Sequence, residues 1–226
     1  RSNFLLAENK PDDIAVEALR ALRTSLFLRT MEARNNAVMI TGATLRLGKT
    51  FVSANLATIL AQAGKRVLLI DADMRKGYLH EMFNLESTSG LGEYLSGTSS
   101  SAFIKATNTN NLYLLTHGSP VDNPAELLGS ERFTQMLTQF NADYDFVIVD
   151  APPVLAVADA NVIGQQTGTT LLVARFDETT VSDIEACVTR LRNNGIEVDG
   201  AVLNGVKRTA SNYHSYDAYT KYSKSE

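Results

Sequence analysis

Short, almost wholly apolar runs alternate along this chain with longer stretches in which apolar residues recur every three or four positions. The runs at 37–41, 66–71, 112–116, 146–150, 170–175 and 198–203 have strand length, and most are apolar at nearly every position. A strand with one face in water alternates apolar and polar residues, so these runs predict strands covered on both faces. Helical patterns fall between them at 13–31, 50–62, 131–141, 158–165 and 179–193, with Gly64 and Gly195 placed as stops. The alternation predicts an α/β fold: a parallel sheet flanked by helices on both faces, binding ligands at the C-terminal ends of its strands. Residues 12–31 read as a strongly amphipathic helix ahead of the first strand, and Asn123-Pro124 reads as the start of a short helix. No internal repeat or interior linker divides this body. The apolar period stops after residue 208, which predicts one domain over 1–208 and a flexible tail over 209–226.

One junction between strand and helix carries chemistry. Ala43-Thr44-Leu45-Arg46-Leu47-Gly48-Lys49-Thr50 follows the first apolar run and Phe51 continues into the first long helix. A strand, a loop closing on Gly-Lys-Thr and a helix make a phosphate-binding P-loop, giving the fold class as P-loop NTPase-like. Backbone N–H groups and a helix N-terminus attract phosphate. The Lys49 ammonium, read as an exposed loop lysine, reaches the outer phosphates, and the Thr50 hydroxyl faces Mg²⁺. The nucleotide-binding set is therefore Ala43, Thr44, Leu45, Arg46, Leu47, Gly48, Lys49, Thr50 and Phe51. Ala43 stands where the usual pattern has glycine, and Leu45-Arg46-Leu47 is bulky; any loop position needing φ > 0 is strained by a side chain.

Two further strand ends carry acids. The second run closes on Asp71-Ala72-Asp73-Met74-Arg75, whose carboxylates share one side if the strand reaches Asp73. The fourth closes on Asp150-Ala151-Pro152-Pro153. Carboxylates beside a metal–triphosphate hold the metal or its waters, or accept a proton from an attacking hydroxyl. The catalytic candidates are Lys49, Asp71, Asp73 and Asp150, and the Mg²⁺ candidates are Thr50, Asp73 and Asp150. Each acid alone has a plainer role, capping the turn or helix that follows.

Composition narrows the class further. The chain has 226 residues, 44% of them apolar, enough for one full core. Its formal charge of −4 argues against a nucleic-acid partner. No apolar run is long enough to span a bilayer. The single cysteine, Cys187, lies in a helical pattern and reads as a buried structural thiol. The chain begins at Arg1 and reads as a piece of a longer protein.

The combination of the Gly48-Lys49-Thr50 loop, Asp71-x-Asp73-x-Arg75 and Asp150-x-Pro152-Pro153 resembles the bacterial tyrosine kinases, over nearly the whole chain. The MinD/ParA ATPases fit less well, since Thr44 stands where their signature lysine falls. The resemblance implies an ATP- and Mg²⁺-dependent protein tyrosine kinase. It makes Asp150 the Walker B acid, and Asp73, with Asp71 as rival, the base nearest the tyrosine hydroxyl. Tyr213, Tyr216, Tyr219 and Tyr222, regularly spaced among polar residues, match the family's C-terminal autophosphorylation cluster, and Tyr78 matches its internal tyrosine. Tyr78 as an aromatic packed under the next segment is the competing reading.

Glu17-x-x-Arg20-x-x-Arg23 lies on one helix face and matches the motif by which the family packs into rings, although a solvated charged face has the same spacing. Asn204-Gly205 falls where P-loop relatives contact adenine, or is only a turn. The implied partners are further copies of the chain, a transmembrane polysaccharide co-polymerase portion of the parent protein and a protein tyrosine phosphatase, with the domain on the cytoplasmic side of an inner membrane. Two departures stand out: Leu45-Arg46 where the family commonly has Pro-Gly, and His117-Gly118 where enterobacterial relatives tend to have arginine before the glycine. The other readings are an ATPase switch of the MinD/ParA kind and a degenerate nucleotide-binding scaffold.

Overall fold

The computed structural model describes residues 5–98 and 103–207. Within them one sheet contains β1 (Ala37–Gly42), β2 (Val67–Asp71), β3 (Ile104–Ala106), β4 (Leu112–Leu115), β5 (Phe146–Asp150), β6 (Thr169–Arg175) and β7 (Gly200–Asn204). Their spatial order is β3-β4-β2-β5-β1-β6-β7, so β1 lies inside the sheet with β5 and β6 as neighbours. Every pairing is parallel except β3 with β4, an antiparallel edge that the sequence pattern did not predict. Three residues carry too little periodicity to be read as a strand.

The apolar runs bury both faces as expected, except at the edge strand β7, where Ala201 is exposed and Leu203 is 56% exposed because no helix layer covers that edge. Val38 and Ile40 of β1 point into one core while Ala37 and Met39 point into the other, and β2 and β5 divide their residues the same way. The first core lies under α3 (Lys49–Gln62), which is buried almost all round because α2 (Ile14–Glu32) and the short α1 (Leu6–Asn9) cover its outer side. Asn55 of α3 ties down α1, its Oδ1 accepting from the Ala7 N–H at 3.0 Å. The second core is covered by α7 (Glu131–Asp143), α8 (Asp159–Gly164) and α9 (Val181–Asn193), with α5 (Leu91–Ser96) and α6 (Pro124–Leu128) at its margin.

Local chemistry sets the helix limits. The Asp13 carboxylate caps α2 by accepting from the Ala15 N–H at 2.9 Å, Ser130 caps α7, and Thr180 with Asp183 forms a capping box on α9. Pro124 opens α6, and Gly64 and Gly195 take positive φ where α3 and α9 stop. Cys187 is buried in α9, where burial pushes its thiol up to about 11, in keeping with a structural role.

The N-terminal helix is less amphipathic than its sequence suggested. Only Val16, Leu19 and Leu26 of α2 are buried, while Leu28 and Met31 are 68% and 83% exposed. Because α2 lies on another helix rather than on the sheet, a narrow stripe is all it can bury. β2 also ends at Asp71, so Asp73 lies in the turn beyond it and not on the strand.

Candidate active site

The C-terminal ends of β1, β2 and β5 converge beside the N-terminus of α3. Asp71 and Asp150 are register partners on neighbouring strands, which places two buried carboxylates side by side. The loop after β5 is pinned to the end of β1. Thr41 Oγ1 donates to the Pro152 carbonyl at 2.8 Å, and the Val154 N–H donates to the Gly42 carbonyl at 2.9 Å.

The P-loop runs from this junction into α3. Ala43 and Leu47 are buried and anchor its two ends, while Thr44, Leu45 and Arg46 are exposed across its top. Gly48 precedes α3 with φ 88°, a conformation that disfavours any side chain, and a Cβ there would lie 2.1 Å from Asn204 Nδ2. Asn204 is close because it buttresses the loop: its Nδ2 donates to the Leu47 carbonyl at 2.9 Å, while its Oδ1 accepts from the Gly205 N–H. Arg46 has φ 62°. Like Gly48 it is left-handed, but it carries a side chain, so the strain expected of this loop falls on Arg46.

Lys49 is the first residue of α3 and is buried, only 8% exposed, which corrects the reading of it as an exposed lysine. Its Nζ folds back toward the Thr44 carbonyl at 3.4 Å. Burial lowers its pKa, against the charges of Asp150 and Asp73, which raise it. Thr50 and Ser53, one turn apart on α3, both hydrogen-bond to Asp150; Ser53 Oγ donates to Asp150 Oδ1 at 2.8 Å. Burial pushes the Asp150 carboxyl up to about 6, and the two hydroxyls and Lys49 oppose that rise. Ser53 was missed in the sequence. Its signal is its helical spacing from Lys49, which puts it on the face that meets β5.

Asp71 is fully buried. Burial, then the charge of Asp150, holds its carboxyl well above the ordinary range, while the Leu79 N–H donates to Oδ2 at 3.1 Å and opposes this. Asp73 is half-buried, and its Oδ1 accepts from the Lys76 N–H at 2.9 Å, so it also performs the plainer capping role. Arg75 reaches from the same turn to Asp159 of α8, with Nε 3.1 Å from Oδ2. Asp159 is buried and locks this turn to the opposite layer. Asp159 was not singled out in the sequence, because its pairing joins residues 84 positions apart along the chain.

The other candidates divide. Phe51 lies beside the P-loop, but its side chain lines an apolar cavity of about 520 Å³ between α2 and β7, shared with Leu19, Leu22, Val202 and Asn204. Tyr78 is 40% exposed at the start of α4 (Leu79–Met82), seven residues after Asp71. Glu17 and Arg20 form an ion pair on α2, far along the chain from the acids, and Arg23 Nε is buried with no hydrogen-bond partner. Tyr213, Tyr216, Tyr219 and Tyr222 lie outside the described residues.

A donor set of the Thr50 hydroxyl and the Asp150 and Asp73 carboxylates is all oxygen, which fits Mg²⁺. The buried Asp150 carboxyl, already held by the Thr50 hydroxyl, is the group such a cation would keep ionised.

Comparison with known proteins agrees with this geometry. The AAA domain family matches residues 46–175. The tyrosine-protein kinase wzc of Salmonella typhi is 46% identical over 220 residues, which cover 97% of this chain but 31% of that protein; the chain thus spans about a third of its curated relative. The solved kinase domain of the Escherichia coli tyrosine kinase ETK superposes with a TM-score of 0.88 at 48% identity, covering 92% of this chain and 82% of that one. The cell division ATPase MinD of Pyrococcus furiosus, at 24% identity and a TM-score of 0.67 over 78% of this chain and 74% of its own, shares the fold alone.

Fold and site therefore define a P-loop nucleotide-binding domain. Within that class, the chain belongs to the family of bacterial tyrosine kinase domains.

Proposed function

We propose that residues 1–208 are an ATP- and Mg²⁺-dependent protein tyrosine kinase domain that phosphorylates, in trans, the tyrosine cluster of a tail at 209–226. The observation that carries this is the convergence of Lys49, Thr50, Asp71, Asp73 and Asp150 at three adjacent strand ends. The P-loop N–H groups and Lys49 hold the triphosphate, with Ala43 to Phe51 forming its cradle. The cavity beside Phe51 and Asn204 takes the base. Bound Mg²⁺, held by Thr50, Asp150 and Asp73, supplies charge neutralisation at the transferring phosphoryl group.

A protonated phenol is a weak nucleophile. Asp73, at the mouth of the site, or Asp71 beneath it, takes the proton while the oxygen is aligned with the γ-phosphorus. Tyr78, exposed on the turn after these acids, is a second acceptor. Transfer between copies is supported by Glu17, Arg20 and Arg23. The Arg23 Nε, buried without a partner in the single chain, is the kind of donor that a neighbouring subunit satisfies. A ring of such domains on the cytoplasmic side of an inner-membrane polysaccharide co-polymerase, reset by a tyrosine phosphatase and serving capsular or exopolysaccharide synthesis, is the setting that the kinship supports.

The test is to incubate the purified chain with Mg²⁺–ATP and map phosphotyrosine by mass spectrometry, alone and mixed with its Lys49→Met variant. The variant alone should carry no phosphate, and in the mixture its tail should acquire it from the active chain. A phosphorylated tail on isolated Lys49→Met, with contaminating kinases excluded, removes Lys49 from the reaction. An unmodified tail in the mixture removes transfer in trans.

A further inference from the structure

His80, His117 and Asp71 meet on the far side of β2 from the P-loop. Asp71 ends β2, His80 is the second residue of α4, and His117 follows β4, the strand paired with β2. One ligand atom from each lies within 4.8 Å of the other two. The two imidazoles meet edge to face with centroids 5.2 Å apart. Gly77 makes the approach possible, since a Cβ there would fall 2.3 Å from His117 Cδ2 and 2.7 Å from Asp71 Oδ2.

Each of the three groups has a buried atom with nothing to bond. Among the described residues, Asp71 Oδ1, His80 Nδ1 and His117 Nδ1 all lack a hydrogen-bond partner, and Asp71 is fully buried. A buried polar atom left unpaired costs about 1–3 kcal/mol, and three in one cluster of side chains ask for a shared partner. His117 Nε2 lies 3.1 Å from Ser87 Oγ. In the tautomer that donates this proton to Ser87, the lone pair falls on Nδ1, and the serine plays the outer-shell part that orients metal-bound histidines. Burial, and then the neighbouring His80, lower the His117 pKa, which keeps the ring in its neutral, ligating form.

We propose that Asp71, His80 and His117 bind a transition-metal cation of the zinc class, and that its binding there inhibits phosphoryl transfer. Two imidazole nitrogens and one carboxylate oxygen suit Zn²⁺, whereas the all-oxygen set at Thr50, Asp73 and Asp150 suits Mg²⁺, so the two cations sort to different sites. Zinc bonds of ~2.0–2.1 Å require the ligand atoms to draw together. Three protein ligands leave a fourth position for water. The inhibitory half of the proposal rests on the kinase reading above: a cation on Asp71 occupies a carboxylate beside Asp150 and withdraws it from accepting the tyrosine proton.

Binding is measured without nucleotide and with excess Mg²⁺, by titrating Zn²⁺ against a chromophoric chelator. The parent chain should take up one equivalent, and the His80→Gln/His117→Gln variant should bind at least 100-fold more weakly. Thermal unfolding of both chains checks that the variant folds, and Co²⁺ added to the parent chain should give the intense visible bands of a four-coordinate site. Equal Zn²⁺ affinity in parent and variant, or no such Co²⁺ bands in the parent, overturns the site. In the activity arm, micromolar Zn²⁺ should suppress phosphotyrosine formation by the parent and spare the variant. Equal suppression of both overturns the inhibitory role. Absence of phosphotyrosine before zinc is added would count against the kinase reading alone, because the binding arm needs no turnover.

Discussion

At the scale of single residues, the site depends on groups held in unfavourable states. Arg46 occupies left-handed backbone in the P-loop, which costs a residue with a side chain about 1–2 kcal/mol relative to an ordinary conformation. Arg46→Gly should therefore hold or raise the unfolding midpoint, although glycine also loses more entropy on folding. Arg46→Val should lower stability by about 1–2 kcal/mol, since a β-branched residue tolerates this region least. Equal midpoints for the two variants would show the loop to be unstrained.

Asp150 is the second case. Its folded pKa, about 6, lies above the ordinary 3.8, so its contribution to stability is complete below the unfolded value and is lost as pH rises through about 6. Without Mg²⁺–nucleotide, the parent should lose on the order of 3 kcal/mol relative to Asp150→Asn between about pH 4 and pH 7. Urea midpoints for both chains across that range check the sign. The sequence pointed to both residues: it marked Leu45-Arg46 as the bulky departure and Asp150 as a strand-end acid. It did not show which loop position turns left-handed, or that Ser53 and Thr50 grip the acid, because those facts depend on how α3 docks against β5.

At the scale of elements, α2 links the packing of the fold to the proposed assembly. It is capped by Asp13 and packs through Val16, Leu19 and Leu26, while Glu17, Arg20 and Arg23 are half-buried at its margin. Ion pairs near the surface are worth about 0.2–1 kcal/mol, and alanine is the best helix former, so replacing all three by Ala should change thermal unfolding only slightly. The mass measured by light scattering should nonetheless fall, along with the concentration-dependent part of autophosphorylation. An unchanged mass would make the three residues a solvated face. The long helices and buried strands were legible because each repeats its period several times. β3, α1, α4 and α5 were not, being too short to carry a period and held by tertiary contacts such as that of Asn55 with the Ala7 N–H.

At the scale of the whole molecule, the tail and the ring should oppose each other once phosphate accumulates. Each phosphotyrosine adds about −1.5 to −2 charges, and a docked tail would bring them beside Asp71, Asp73 and the triphosphate. A chain with Tyr213, Tyr216, Tyr219 and Tyr222 changed to Phe keeps the aromatic rings without an acceptor in that cluster. In Mg²⁺–ATP it should stay associated while the parent chain drifts toward monomer, as followed by light scattering over time. Dissociation of both chains at the same rate would uncouple assembly from tail phosphate.

The sequence by itself determined the class of fold and the chemistry at its strand ends. Continuous apolar runs are satisfied between two layers, and Gly48-Lys49-Thr50 between such a run and a helix marks a P-loop. The tertiary structure decided which groups face one another. It buried Lys49, set Asp71 beside Asp150, tied Arg75 to Asp159 and gathered His80 and His117 around Asp71. Apart from His80, nine residues from Asp71, these partners lie tens of residues apart along the chain, and local propensity carries no record of contacts that only sheet register and helix docking create.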